Sequence, residues 1–585
     1  MSRAAICNRN KPDCQPILGI HGFRVSRRGA GDYSDGVRLP VCEIEDQLRA
    51  ALGGGGVRRV LLKAPTGSGK STLVPGMVAD EVGSGRVVVV EPRRMAARML
   101  AGWVAKERGG SVGGEVGYAV RFDSRYGKNT RIVYVTDGVF QRWLQDDPGL
   151  AGVAAVVFDE FHERRLAGDL SLARCLDLQD GPRPDLALLV MSATLEVAGL
   201  EDYLAPVQSL AAGGRRFPVD IVYHKTPAPA ADRRGGPPRE VPVWDRVAAA
   251  CREAMASPEA GHLLVFLPGT YEIQKTVGVL GAASWARGWE VFPLHGGLPP
   301  EKQDAAVAPS SRPKIIVSTN VAETSLTIDG VRTVIDAGLV RVGAFDPRRG
   351  IDTLRIEKIS QASAEQRAGR AGRTAPGRCL RLWSEADHAR RPAFDIPEVR
   401  RVDLAEAALW LKAAGVADVG AFRWLDAPEA TSLARAERLL HDLGALDQNG
   451  ELTAAGREMA ALPLAPRFAR LLLAGIAEGC PAEAAFVAAV VEGEGVFAKA
   501  RGGDGRGNFA LAESGSDFAG EWRGFQSAAA MRFDPGRCAP LGILARGARE
   551  TAQALDRLQH LLERRGVTWQ EPDFVARREA VGRAM

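Results

Sequence analysis

The 585-residue sequence predicts an α/β protein with two consecutive parallel-sheet domains and a largely helical C-terminal region. Three observations carry this. Short apolar β runs alternate with helical stretches through the first part of the chain, the pattern of a parallel sheet covered by helices. A polar stretch rich in Pro and Gly, Thr226 to Pro242, interrupts the alternation, which then starts again at His262. Beyond Pro392 the strand pattern nearly vanishes and Ala/Leu-rich helical periodicity takes over.

Taken in order, residues 1–38 are polar, basic and aperiodic, and are expected to be a disordered or non-native extension. Glu43 to Leu52 reads as a helix and Gly53 to Gly56 as a turn. The first strand set is Val57 to Lys63, Arg86 to Val90, Thr130 to Val135, Ala154 to Phe158 and Leu186 to Met191. The second is His262 to Leu267, Val291 to Leu294, Lys314 to Ser318 and Thr333 to Asp336. Val402 to Ala413 and Ser432 to Leu443 read as helices. A chain of this length holds about three to five domains.

Composition narrows the function classes. A net charge of +5 and a pI of about 8.8 permit a nucleic-acid partner without requiring one. No apolar run reaches the roughly 18 residues of a membrane span, and the first residues lack the apolar region of a secretory signal, so no membrane partner and a cytoplasmic location are expected. The eight cysteines include no Cys-x-x-Cys pair, which argues against a zinc site.

The chemistry begins at Ala64-Pro65-Thr66-Gly67-Ser68-Gly69-Lys70-Ser71-Thr72, between an apolar strand and a helix. Such a loop wraps backbone N–H groups round a triphosphate at a helix N-terminus. Lys70 is placed to meet the β and γ phosphates, and Ser71 has the hydroxyl such loops put on Mg²⁺. Asp159 and Glu160 end the strand Ala154 to Phe158. The first suits Mg²⁺, held with Ser71 and the neighbouring Glu160, and the second suits a general base for water. Gln366-Arg367-Ala368-Gly369-Arg370-Ala371-Gly372-Arg373 follows in the second half. Arg370 and Arg373, three apart, are expected on one helix face where both reach a γ-phosphate, with one ATP clamped between the two domains.

These pieces, with Glu91-Pro92-Arg93-Arg94, Thr136-Asp137-Gly138, Asp159 to Arg164, Ser192-Ala193-Thr194 and Ser318 to Thr327, resemble the ordered motifs of superfamily 2 DEAH-type helicases. Asp159-Glu160-Phe161-His162, Phe266-Leu267-Pro268-Gly269 and Leu380-Arg381-Leu382-Trp383 make the chain most similar to the bacterial HrpB-type ATP-dependent helicases. The resemblance implies RecA-like domains at 39–210 and 211–392, a winged-helix domain at 393–462, a helical ratchet-like domain at 463–530 and a partial C-terminal region at 531–585. It implies that His162 meets Gln366 across the cleft, that Ser192 and Thr194 couple the ATP site to strand movement, and that Ser325 and Asp329 face the nucleotide. It also implies that Arg93, Arg94, Thr136, Gly269 and Thr319 contact the nucleic-acid backbone. The implied activity is ATP-dependent unwinding or remodelling of RNA by a monomer, with 3′ to 5′ movement on single-stranded RNA. Backbone-only contacts leave DNA open as a substrate, and an ATP-gated RNA-binding scaffold is the non-enzymatic alternative. Where many relatives clamp the nucleotide base between Arg and Phe, this chain has Trp103 and Val307. Family members also continue into a longer C-terminal region, so a missing domain or truncated gene is a further expectation.

Overall fold

The computed structural model describes residues 39–54, 56, 58–121, 123–193, 199–214, 217–224, 241–257, 259–323, 328–347, 350–498, 507, 509 and 516–585. The extension at 1–38 and most of the Thr226 to Pro242 stretch lie outside the described residues. The chain divides into two compact units, one of residues 1–343 and 353–398 and the other of residues 344–352 and 399–585.

The first unit holds two sheets. Strands β1 (Arg59–Lys63), β2 (Arg86–Val90), β3 (Val116–Val120), β4 (Asp123–Arg125), β5 (Ile132–Val135), β6 (Val153–Phe158), β7 (Ala187–Ser192) and β8 (Gln208–Ala211) form the first, in the order β4-β3-β5-β2-β6-β7-β1-β8. Every pairing is parallel except β3 with β4. The central strands are continuous apolar runs because helices cover both faces; Val87 to Val90 of β2 are all buried. Strands β9 (Val219–Tyr223), β10 (His262–Phe266), β11 (Glu290–Leu294), β12 (Lys314–Ser318), β13 (Val331–Asp336) and β16 (Gly377–Arg381) form an all-parallel second sheet, ordered β11-β12-β10-β13-β16-β9. Between β13 and β16 lies the two-stranded hairpin β14 (Leu339–Asp346) and β15 (Ile351–Lys358).

All nine expected strands form, with ends shifted by a few residues at most. Of those missed, β4 is exposed throughout and β8 buries one residue of four, so neither carries an apolar run, whereas β3 is buried along its whole length but has Gly117 within it. β8 pairs with β1 through Ala211, so the first sheet reaches one residue past the expected limit of 210.

The second unit is helical apart from the hairpin segment and short bridges. The expected helices appear as Ala405–Ala413 and Ala430–Asp442. Leu446 and Leu452 bridge antiparallel across a tight turn. Further on, the fully buried Phe486 on the helix Pro481–Glu492 packs its ring against Trp522, Phe525 and Phe574 at centroid distances of 4.9, 5.6 and 5.8 Å. These edge-on pairs are an apolar anchor between this helix and the chain that follows.

Candidate active site

Strand β1 delivers the phosphate loop, and its backbone carries the geometry. The Ala64 amide donates to the Ser192 carbonyl at the end of β7, 3.0 Å away, which ties the loop to the neighbouring strand. Gly67 and Gly69 have φ of +87° and +93°, a region costly for any residue with a Cβ. Gly69 is also covered by Leu39 and Val41, and the Val41 amide donates to the Ser68 carbonyl at 3.1 Å. The helix Lys70–Glu81 starts at once, with the Gly69 carbonyl accepting from the Thr72 hydroxyl (3.1 Å) and the Leu73 amide (2.9 Å). Its first amides therefore face the curve of the loop, a site suited to an anion. Ala64 is buried against the strand ends, where a small residue fits. Thr66 is half-buried and Gly67 exposed at the loop's crest.

Lys70 is 3% exposed and Glu160 1% exposed, and Nζ of the first stands 3.0 Å from Oε1 of the second. Strand β6 supplies Glu160, two strands from β1, and the residue has φ +48°. A left-handed non-glycine residue at a strand end is held there by its surroundings, and such conformations cluster at functional sites. Burial pushes the Glu160 carboxyl up, but the Lys70 ammonium, with His162 and Arg370 adding, overrides this and holds it down at about 2. Asp159 behaves oppositely: burial and the Glu160 charge raise it to about 6, against Lys70 and the Ser71 hydroxyl. One Asp159 oxygen accepts from the Glu160 amide at 2.8 Å, and the other, Oδ2, is buried without a hydrogen bond. Ser71, buried on the first turn of the helix, and the Asp159 and Glu160 carboxylates thus form an oxygen donor set that fits a hard cation such as Mg²⁺.

The second sheet contributes arginines. The helix Gln361–Ala368 ends at Gly369, so Arg370 and Arg373 lie in the turn beyond it and not, as expected, on one helical face. The glycine at 372 explains the path: a Cβ there would stand 2.6 Å from the Phe217 carbonyl oxygen, and the chain turns against β9. Arg373 Nε comes within 3.7 Å of where a Cβ on Gly67 would sit, which puts this arginine at the phosphate loop. Arg370 is buried, its Nε donating to the Glu323 carbonyl at 2.9 Å. Burial and the nearby Arg373 push its pKa down, while Glu160 favours its charge. Both arginines thus reach the first sheet's site by a turn.

The expected contact between His162 and Gln366 is not a hydrogen bond in this structure. His162 Nδ1 takes the Ala193 amide at 3.4 Å and lies 3.5 Å from Glu160 Oε2, while Nε2 is buried without a hydrogen bond. The Glu160 side has claimed the ring, and Gln366 stays half-buried on its own helix. Ser192 is buried at the end of β7, paired in register with Lys63. Thr194 and Ser325 lie outside the described residues, and Asp329 is exposed.

Of the residues expected to touch nucleic acid, Arg94 is exposed, Thr136 and Gly269 are buried, and Thr319 is half-buried at the start of the turn Asn320–Ala322. The Arg93 side chain is committed within the protein, to Glu163 (2.9 Å) and to the Asn320 carbonyl. The helix Arg94–Glu107 that follows Arg93 ties the two sheets together: Met95 packs with Phe266, Leu294 and Ala306, and Arg98 pairs with Asp304 at 2.8 Å. Trp103 leans on the first domain's core and Val307 on the second's.

Three charged residues escaped the sequence reading. Arg341 of β14 sits over Gly269, with its guanidinium carbon 2.9 Å from a Cβ placed there. Glu323 and Asp336 sandwich the fully buried Arg367 at 2.9 and 3.0 Å. Glu323 lay within a motif whose spacing drew attention to its neighbours, and nothing local marks Asp336 or Arg341.

Comparison with known proteins fits this geometry. Residues 45–203 match the DEAD/DEAH box helicase family, 246–375 the helicase conserved C-terminal domain, and 436–464 the winged-helix helicase associated domain (HA2). The ATP-dependent RNA helicase HrpB of Escherichia coli is 42% identical over 460 residues, 78% of this chain and 54% of that protein. The probable ATP-dependent RNA helicase DHX35 of Homo sapiens is 36% identical over 79% of this chain and 67% of its own length. A crystal structure of the E. coli DEAH/RHA helicase HrpB superposes with a TM-score of 0.76 at 37% identity, covering 93% of this chain and 63% of that one. The chain thus spans little more than half the length of the E. coli relative. With two RecA-like parallel sheets, a phosphate loop answered by arginines from the second sheet and a winged-helix segment, the chain belongs to the DEAD/DEAH box helicases.

Proposed function

We propose that this chain is an ATP-dependent RNA helicase, coupling ATP hydrolysis to 3′ to 5′ movement on single-stranded RNA and to unwinding or remodelling of duplexes. The observation that carries the reading is the approach of Arg373 to the phosphate loop from the second sheet, beside the buried Lys70–Glu160 pair. A nucleotide bound there touches both domains, so turnover alters how they are held together.

Each residue has a task. Lys70 and the loop amides hold the β and γ phosphates. Ser71, Asp159 and Glu160 would hold a Mg²⁺ bound with ATP, which would neutralise charge on the phosphate oxygens. When Lys70 turns to phosphate it leaves Glu160, freeing an oxygen of that carboxylate to accept the proton of water. Glu160 takes the proton of the attacking water as the bond from the γ phosphorus to the bridging oxygen breaks, and Arg370 and Arg373 carry the charge developing on the γ oxygens. His162 and Ser192 pass the change in the site to the strand ends, together with Thr194 and Gln366. Arg94, Thr136, Gly269 and Thr319, with Arg341 added, line the RNA path, while Ser325 and Asp329 face the nucleotide.

The reading also takes the protein as cytoplasmic and sufficient as a monomer, since one chain supplies both sides of the cleft. Among the described residues no helix is long and apolar enough to cross a membrane. The test is steady-state ATP hydrolysis with and without single-stranded RNA, then single-stranded DNA, with Glu160→Gln as the inactive control. Stimulation by RNA alone supports the proposal, and duplexes tailed at the 3′ or 5′ end then give the direction. Equal stimulation by both strands makes the protein a general nucleic-acid translocase, and turnover no faster than Glu160→Gln overturns the reading.

A further inference from the structure

Strand β10 ends at Phe266, and Leu267, Pro268 and Gly269 lead directly into the helix Thr270–Ala282. On its first turn stands Tyr271, 54% exposed although large and aromatic. Its ring meets Trp244, at the start of the preceding helix Val243–Met255, edge to face at 5.9 Å and 83°. Lys275, one turn on, holds its ammonium 5.6 Å from the centre of the Tyr271 ring. Arg341 lies over Gly269, two residues before Tyr271, and Glu272, 3.9 Å from that arginine, is the acid already paired there.

A large aromatic ring held in solvent against a second ring, with a lysine and an arginine nearby, is a poor solvated surface and a good support for a base. Every nucleobase has a face that stacks on such a ring, whatever the sequence, and the flanking ammonium and guanidinium suit the phosphates on either side. The pair also begins two residues after Gly269, where the proposed RNA path crosses the second sheet. We infer that the exposed Tyr271 ring, braced edge to face by Trp244, is a stacking platform for one base of single-stranded RNA, with Lys275 and Arg341 on its neighbouring phosphates. This inference rests on the RNA-helicase reading and adds to it a grip on a base, where the other contacts grip only backbone. It makes affinity depend on an intact base while leaving the sequence of bases free.

The experiment compares the full chain with Tyr271→Ala and Tyr271→Phe, measuring binding by fluorescence anisotropy to a labelled single-stranded oligouridylate and to the same strand with abasic sites. Thermal unfolding checks that each variant folds; the exposed ring leaves no core cavity. Tyr271→Ala is expected to bind the intact strand about tenfold more weakly or worse, to match the wild-type protein on the abasic strand, and Tyr271→Phe to bind as wild type. Wild-type affinity of Tyr271→Ala for the intact strand overturns the platform while leaving the helicase reading in place. An equal loss on both strands also overturns it, because the ring is then not meeting a base. If the wild-type protein binds neither strand, both readings fall together.

Discussion

Arg367→Met should loosen the second sheet and leave the first untouched. Arg367 is fully buried, with Nε 2.9 Å from Glu323, Nη1 3.0 Å from Asp336, a further bond to the Leu339 carbonyl at 3.2 Å, and its guanidinium 5.0 Å from the Phe266 ring centre. Methionine fills much of the same space but leaves two buried carboxylates without their cation. Each keeps one local donor, Ser363 Oγ on Glu323 at 2.5 Å and the Gly338 amide on Asp336 at 2.8 Å. Removing one partner of a buried ion pair costs about 3–5 kcal/mol, and uptake of a proton by one carboxyl limits the loss to the lower part of that range.

Hydrogen exchange read strand by strand is the suitable assay, because a chain of several domains does not unfold as one unit. A loss of about 3 kcal/mol corresponds to roughly 100-fold faster exchange of β10 and β13 amides at pH 7, with β2 and β6 unchanged. The sign with pH follows from Glu323. Burial raises its carboxyl, but Arg367 and its neighbours bring it below the usual value, so the stability it contributes is present above the ordinary carboxyl pKa and fades as pH falls through the depressed one. The gap between wild type and variant should therefore narrow in acid. Less than a tenfold change, or equal loosening of both sheets, refutes the reasoning.

Three further outcomes are expected. Arg373→Ala should lower the rate of ATP turnover by about 10³-fold or more, with a smaller effect on nucleotide binding; a turnover number within tenfold of wild type removes this arginine from the chemistry. Gly372→Ala, whose Cβ would stand 2.6 Å from the Phe217 carbonyl oxygen and 2.7 Å from Val219, should destabilise the protein by about 1–3 kcal/mol, read as a lower melting temperature. Burial raises the Asp137 carboxyl to about 7, Arg165 opposing and Glu163, Glu398 and Asp169 adding. A carboxyl raised on folding contributes stability that is full below its unfolded pKa and lost as pH rises to about 7, so Asp137→Asn should gain stability relative to wild type between pH 4 and 8, followed by thermal unfolding.

What could be read from the sequence depended on whether the signal was local. The phosphate loop carries its instructions in consecutive residues, since Gly67 and Gly69 supply the positive φ and the following helix supplies the amides. Strands made of unbroken Val, Ile and Leu announce themselves, whereas β4, β8 and the hairpin, with one face or both in water, do not, and β3, though buried throughout, is broken by Gly117. The spacing of Arg370 and Arg373 suits one helix face, but the helix ends at Ala368 and the turn beyond it, with Gly372 against Phe217, carries both. The contacts that lock the site were invisible for a different reason. Asp336 reaches Arg367 only because β13 runs beside β10 next to the helix Gln361–Ala368, and Arg341 reaches Gly269 only because β14 follows directly on β13, beside the end of β10. Those pairings are made by the order of strands in the sheet. A motif records which residues meet the nucleotide, and the register between strands decides which buried charges hold that motif in place, so the residues most exposed to failure on mutation need not be those the motifs name.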